Sequence, residues 1–351
     1  MSCKCNENFC IKNEKATIHF ITVVPELLHK CKILLKDKNN LRLKEHICSI
    51  DIDDARTFFE NQVEFFDENF TQFEQAEIKI FVETTNELLS ITSVLKAKPL
   101  NIYLNFIKDN SFFEILESET LTTHFQPIID MKTNKIHAYE CLTRGVLPNG
   151  DLMYPNDLFE KSNRNDTNFR LDKLCRESAL KTAAVKKINS KVFINFLPTA
   201  IYDPKFCLQS TVKWAKQLEL DPRNIVFEVV ETENVQDKVH LKQILNYYRE
   251  QGFKIALDDV GEGYSSLNMI IDIKPDIIKV DRNIIDGIDT NELKQSVYKA
   301  LKSISIDNNI QILAEGVETL EELEMVKKLG VDYAQGYYFA KPSPEPIRRI
   351  F

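Results

Sequence analysis

The chain has 351 residues, of which 43% are hydrophobic and 28% charged, with a formal net charge of -8. This length is ample for two cores, and the composition is that of a folded globular protein, not a disordered one. An acidic balance without any dense Lys/Arg run argues against a duplex DNA or RNA partner, and no stretch nears the ~20 consecutive apolar residues of a membrane span.

The opening segment, residues 1–15, reads MSCKCNENFCIKNEK and lacks the apolar centre of a signal peptide, so the protein is expected in the cytoplasm. In that reducing compartment the eight cysteines are expected as thiols. Cys3, Cys5 and Cys10 have no core to join. They are read either as metal ligands, with help from Cys31, Cys48, His29 or His46, or as part of a frayed terminus. Cys175 and Cys207 lie in apolar surroundings and are expected in the core.

Residues 16–116 alternate short β-rich runs with helical patterns. ATIHFITVV, LKEHICSIDI, EIKIFV and LNIYLNF read as strands, and PELLHKCKILL, DDARTFFENQVEFFDENF and TNELLSITSVL as helices. This order predicts a small α/β domain with a largely parallel sheet. Phe58, Phe59, Phe65, Phe66 and Phe70 recur at helical spacing and are expected to pack against a sheet or a partner, not to form a ligand cage. A receiver domain would need an acidic pocket after its first strand, and TVVPELL offers one carboxylate.

Residues 117–351 carry eight β-rich runs separated by longer helical segments: THFQPIID, KIHAYECLTR, KVFINFL, NIVFEVVE, KIALDD, IIKVD, IQILAEG and DYAQGYYF. Eight strands with intervening helices predict a TIM barrel. The first two runs are joined by the short turn MKTN, too short for a crossover, so an antiparallel first strand modifies the barrel. Thr319 and Glu322 form a capping-box pattern, with Leu320, Leu323, Val326 and Leu329 as the apolar stripe and Gly330 beyond it. Gly252 ends another helix, whose buried side includes Leu241, Leu245 and Tyr248.

Polar residues stand at the ends of these apolar runs: Glu140, Asn195, Glu228, Asp258 with Asp259, Lys279, Glu315 and Gln335. Singly, each fits a helix cap or a solvated loop. Jointly they gather several carboxylates at one rim, where repulsion is costly unless cations or protons neutralise it. Oxygen donors without histidine or cysteine favour Mg2+ or Mn2+, and the adjacent pair Asp258 and Asp259 suggests two ions if the strand bends at its end.

The motifs FQPI (125–128), ECLTR (140–144), INFLP (194–198), FEVVE (227–231), LDDVGEGYSS (257–266), IKVD (278–281), AEGVET (314–319) and QGYYFAKP (335–342) follow one another in order. With them the chain resembles the EAL family of cyclic di-GMP phosphodiesterases. The resemblance implies hydrolysis of cyclic di-GMP to linear pGpG with two Mg2+ or Mn2+ ions. It implies that Glu140, Asn195, Glu228 and Asp258 hold the first ion and that Asp258 and Asp259 serve the second. Lys279 would orient or deprotonate the attacking water, and Glu315 and Gln335 would complete the shell of ions and water, so that Glu140, Lys279 and Glu315 form the catalytic set. Gln126, Leu142, Arg144, Asp281 and Gln335 would contact the substrate, and Glu231 would stabilise the loop after Asp259. A second copy of the chain, meeting it through the barrel, is a candidate partner.

Three departures stand out. Cys141 replaces a usual alanine, Val260 a usual phenylalanine, and Glu262 a usual small or hydroxyl residue. A catalytically silent cyclic di-GMP receptor that signals to a protein partner is the main alternative. A metal-dependent barrel lyase or aldolase would fit the carboxylates but not the ordered motifs. Because every motif lies beyond His124, residues 16–116 are expected to be regulatory.

Overall fold

The computed structural model describes residues 10–36, 40–84, 89–201, 203–230, 238–261 and 266–350. The chain divides into two compact units. One comprises Glu7–Glu114 with Glu160–Asp166, and the other Ile115–Phe159 with Thr167–Phe351.

The smaller unit is built on a five-stranded sheet of β1 (Ala16–Ile21), β2 (Arg42–Lys44), β3 (Ile47–Ile52), β4 (Lys79–Glu83) and β5 (Lys98–Pro99). Its strand order is β2-β3-β1-β4-β5. Every adjacent pair is antiparallel, which corrects the expectation of a largely parallel sheet. The run LKEHICSIDI holds two strands instead of one: Glu45 takes a left-handed conformation (φ 47) and reverses the chain between β2 and β3. That reversal brings β3 back antiparallel to β1.

LNIYLNF is also not a strand. Leu100–Lys108 is a helix that follows Pro99, and it buries Leu100, Ile102, Tyr103, Leu104 and Phe106. A short run rich in aromatic and β-branched residues cannot be assigned by periodicity alone, and stacking of Tyr103 on Phe59 at 5.0 Å decides it here. Phe59 and Phe66, on the helix Ala55–Asn69, are buried with Ile18, Phe20, Cys48, Ile50 and Ile80 of the strands.

The larger unit is a closed barrel of β6 (Leu121–Asp130), β7 (Lys135–Val146), β9 (Lys191–Phe196), β10 (Ile225–Val230), β11 (Lys254–Val260), β12 (Ile277–Val280), β13 (Gln311–Ala314) and β14 (Tyr333–Ala334). A two-residue strand, β8 (Leu152–Met153), adds to β7. From β7 round to β14 the barrel pairs are parallel. β6 runs antiparallel to both its neighbours, as the tight turn after it requires. No helix among the described residues is long and apolar enough to cross a membrane.

Alternation along the strands makes two layers. Residues facing the surrounding helices form one large apolar cluster. Inside the barrel, Ile128, Ala138, Phe193, Val226, Ala256, Ile277, Leu313 and Tyr333 form a second one, with a residue from each strand. The helix predicted after Thr319 starts with the capping box Thr319–Glu322 and buries Leu323 and Val326, whereas Leu320 is exposed and lies off the stripe. Gly252, with φ 90, ends its helix as expected, and Leu241, Leu245 and Tyr248 are buried. Cys175 and Cys207 are also buried.

Within the helix Asn168–Val185, Arg176 and Asp172 form a buried ion pair one turn apart. Asp172 Oδ1 also accepts the backbone N–H of Leu197 at 2.8 Å, and so ties the helix to the chain just after β9. Asp172→Ala would leave Arg176 charged without its partner. It should destabilise the barrel by about 3–5 kcal/mol, and Asp172→Ala combined with Arg176→Leu should recover most of that loss. Urea unfolding followed by the fluorescence of Trp214, the single tryptophan, would measure both.

Candidate active site

Two residues beyond each member of the inner apolar cluster, towards the barrel mouth, stands a polar residue. Ala138 leads to Glu140, Phe193 to Asn195, Val226 to Glu228, Ala256 to Asp258, Ile277 to Lys279, Leu313 to Glu315 and Tyr333 to Gln335. On the reversed strand β6, Ile128 leads back to Gln126. Period-two alternation thus aims all eight at one place.

Lys279 Nζ is the centre of this layer. It lies 2.5 Å from Glu228 Oε1, 2.8 Å from Asp258 Oδ1, 2.8 Å from Glu315 Oε1 and 3.7 Å from Glu140 Oε1. Gln335 Nε2 donates to Glu140 Oε2 at 2.6 Å and to Gln126 Oε1 at 3.0 Å, and Asn195 Nδ2 donates to Glu140 Oε1 at 3.4 Å. The next residue, Gly336, lets the chain pass close to Val317, since a Cβ there would sit 2.0 Å from the Val317 carbonyl oxygen.

Asp258 and Asp259 are consecutive, and in a regular strand they would face opposite sides. The ladder between β11 and β12 is irregular from Leu257 to Val260, and Asp259 takes a left-handed conformation (φ 53). The bend brings carboxylate oxygens of Asp258, Asp259 and Glu315 within 4.8 Å of one another. Among the described residues this is the group with metal-ligand spacing. Cys31 and Cys48 are buried, Cys10 is exposed, and Cys3 and Cys5 lie outside the described residues.

Charge in this layer is unbalanced. Four carboxylates face one ammonium group, and Glu228, fully buried, has no hydrogen-bond partner for Oε2 among the described residues. Burial pushes the Glu228 and Glu315 carboxyls well above the usual range, with Lys279 opposing and the neighbouring carboxylates adding to the rise. Burial alone would lower Lys279, but Asp258, Glu140, Glu228 and Glu315 hold its proton and raise it. An excess of oxygen donors around a buried carboxylate with one unpartnered oxygen fits a divalent cation that prefers oxygen ligands.

The remaining predicted positions lie around this centre. Arg144, on β7, is buried. Leu142 lines a cavity of about 210 Å3 with Thr143, Pro155, Phe159 and Asn195. Asp281 is half-buried and caps the helix Arg282–Ile285 by accepting the N–H of Asn283. Glu231 and Glu262 lie outside the described residues. The sequence reading missed Asp172 and Arg176, although their spacing of four in a helical run was a usable signal.

Without divalent cations, Lys279→Met should cost the barrel about 3–5 kcal/mol at neutral pH, because the carboxylates lose their counter-charge. Carboxyls whose folded pKa is raised stabilise the protein below their unfolded value and lose that contribution as pH rises. The deficit of the variant should therefore grow from about pH 4.5 upward. Mg2+ or Mn2+ should raise its melting temperature more than that of the wild type. Melts across pH, with and without metal, check both, and equal stability of the two proteins at neutral pH would contradict the arrangement.

Comparison with known proteins agrees with this geometry. The EAL domain family matches residues 109–342. The chain is 28% identical over 232 residues to the cyclic di-GMP phosphodiesterase PdeA of Borreliella burgdorferi, a match covering 65% of this chain and 34% of that protein. It spans less than half the length of the curated relatives it matches. A standalone EAL protein from Vibrio cholerae, solved with cyclic di-GMP bound, superposes with a TM-score of 0.60 at 40% identity, over 66% of this chain and 95% of that one. BlrP1 of Klebsiella pneumoniae shares the fold over 96% of this chain and 98% of its own, with a TM-score of 0.61 at 20% identity. By its matched residues and its barrel, this chain belongs to the EAL domain family.

Proposed function

We propose that the chain hydrolyses cyclic di-GMP to linear pGpG with the help of two divalent ions, Mg2+ or Mn2+. The observation that carries this reading is the bend at Asp258 and Asp259, which gathers adjacent carboxylates with Glu315 beside the under-neutralised cluster around Lys279. In this reading Glu140, Asn195, Glu228 and Asp258 hold the first ion, and Asp258 with Asp259 the second. Such ions, when bound, acidify water and neutralise charge on a phosphodiester. Gln335 fixes the Glu140 carboxylate through its short hydrogen bond. Lys279 Nζ, close to Glu315, would orient the attacking water, or deprotonate it once bound ions relieve the ammonium of its carboxylate partners.

Gln126, Leu142, Arg144, Asp281 and Gln335 contact the substrate, Arg144 suiting a phosphate. Glu231 is the loop-stabilising residue of the scheme. Residues 117–351 then form the catalytic domain and 16–116 a regulatory one, in a cytoplasmic protein that pairs through its barrel. Against a silent receptor counts that neither the lysine nor any of the four carboxylates is replaced.

Purified protein should convert cyclic di-GMP to pGpG in Mg2+ or Mn2+, as resolved by chromatography, and stop on addition of a chelator. Glu140→Ala should lower turnover by roughly 10²-fold or more, as should Lys279→Ala, which alone of the two should keep metal affinity. Tight binding of cyclic di-GMP without turnover under either metal would favour the receptor instead. A truncated chain starting at Glu117 should retain hydrolysis; if it folds but is inactive, the first unit completes or activates the site.

A further inference from the structure

Arg144 is an unusual buried cation. The residue is buried, yet among the described residues it forms no ion pair. Nη1 donates to the carbonyl oxygen of Thr143 at 2.8 Å, and Nε has no hydrogen-bond partner among the described residues. A guanidinium in this setting normally needs a carboxylate or a phosphate to offset its lost hydration. What it has is the ring of Tyr154, whose centroid lies 5.1 Å from Arg144 Cζ.

Two local features bring the ring there. β8 pairs antiparallel with β7 in the register Gly145↔Met153 and Val146↔Leu152. Continued by one step, this register sets residue 154 opposite residue 144, where cross-strand side chains meet. Pro155 follows, and a residue before proline is kept out of the helical region, so Tyr154 is held extended between the strand and the helix Pro155–Arg164. The ring is 56% exposed, so core packing does not account for its position.

We propose that Tyr154 is a positioning residue: its ring holds the Arg144 guanidinium without using its N–H donors, which stay available for a phosphate oxygen of the substrate. This rests on cyclic di-GMP being the ligand. An aromatic face stabilises a cation without using its N–H donors, which leaves the fork available for bidentate contact. A carboxylate in the same place would occupy those donors and repel the phosphate.

The test compares Tyr154→Ala, Tyr154→Leu and Tyr154→Phe in the full chain. Cyclic di-GMP affinity is measured by calorimetry in Glu140→Ala background, and KM and kcat in the otherwise wild-type enzyme. Ala and Leu should weaken binding and raise KM by roughly 3- to 30-fold with kcat nearly unchanged, and Phe should stay near wild type. Melting temperatures should not move. In an Arg144→Ala background, Tyr154→Ala should have no further effect, as expected for residues acting through one contact. Wild-type affinity in Tyr154→Ala, or an equal loss with and without Arg144, overturns the inference alone. A wild-type chain that neither binds nor hydrolyses cyclic di-GMP overturns the proposed function, and this inference with it.

Discussion

At the mouth of the barrel, one ammonium group among the described residues stands inside a ring of four carboxylates. Carboxylates that close would repel one another or take up protons, and burial of Glu228 makes both pressures stronger. Lys279 prevents collapse of the arrangement, and the carboxylates in turn keep a buried lysine charged. The two effects are reciprocal. Any cation that pairs with the carboxylates also removes what fastens the proton to Lys279. The strands that carry these residues are therefore held by a balance of charge as much as by the apolar clusters on either side of them.

The barrel was legible in the sequence because each strand encodes its own direction and face. An apolar residue pointing inward is followed two positions later by a polar one on the parallel strands, and preceded by one on the reversed β6. Even the antiparallel start could be read, from a turn too short for a crossover. The clustering of Asp258 and Asp259 on one side was less legible. It depends on a bulge and a left-handed residue, and aspartate tolerates that conformation without announcing it.

The smaller unit was read less well, for two physical reasons. A hairpin turning at Glu45 carries no Asn-Gly or Asp-Gly signal, so two strands looked like one and the sheet direction was misjudged. Leu100–Lys108 is apolar enough to be either element, and only its packing against Phe59 distinguishes them. The contact between Arg144 and Tyr154 was invisible for another reason. It arises from a two-residue strand, too short to show a pattern.

The inner apolar cluster beneath the polar layer has a consequence for traffic. Ile128, Phe193, Val226, Ile277, Leu313 and their neighbours floor the barrel with buried hydrocarbon, which carries neither ions nor protons. Among the described residues the polar layer is therefore closed on its inner side, and its opening lies at the end of the strands where Glu315 and Gln335 stand. In the proposed reaction, ions, water, dinucleotide and product all share that opening. A dinucleotide bound there would lie across the path by which the polar layer exchanges ions and product with solvent.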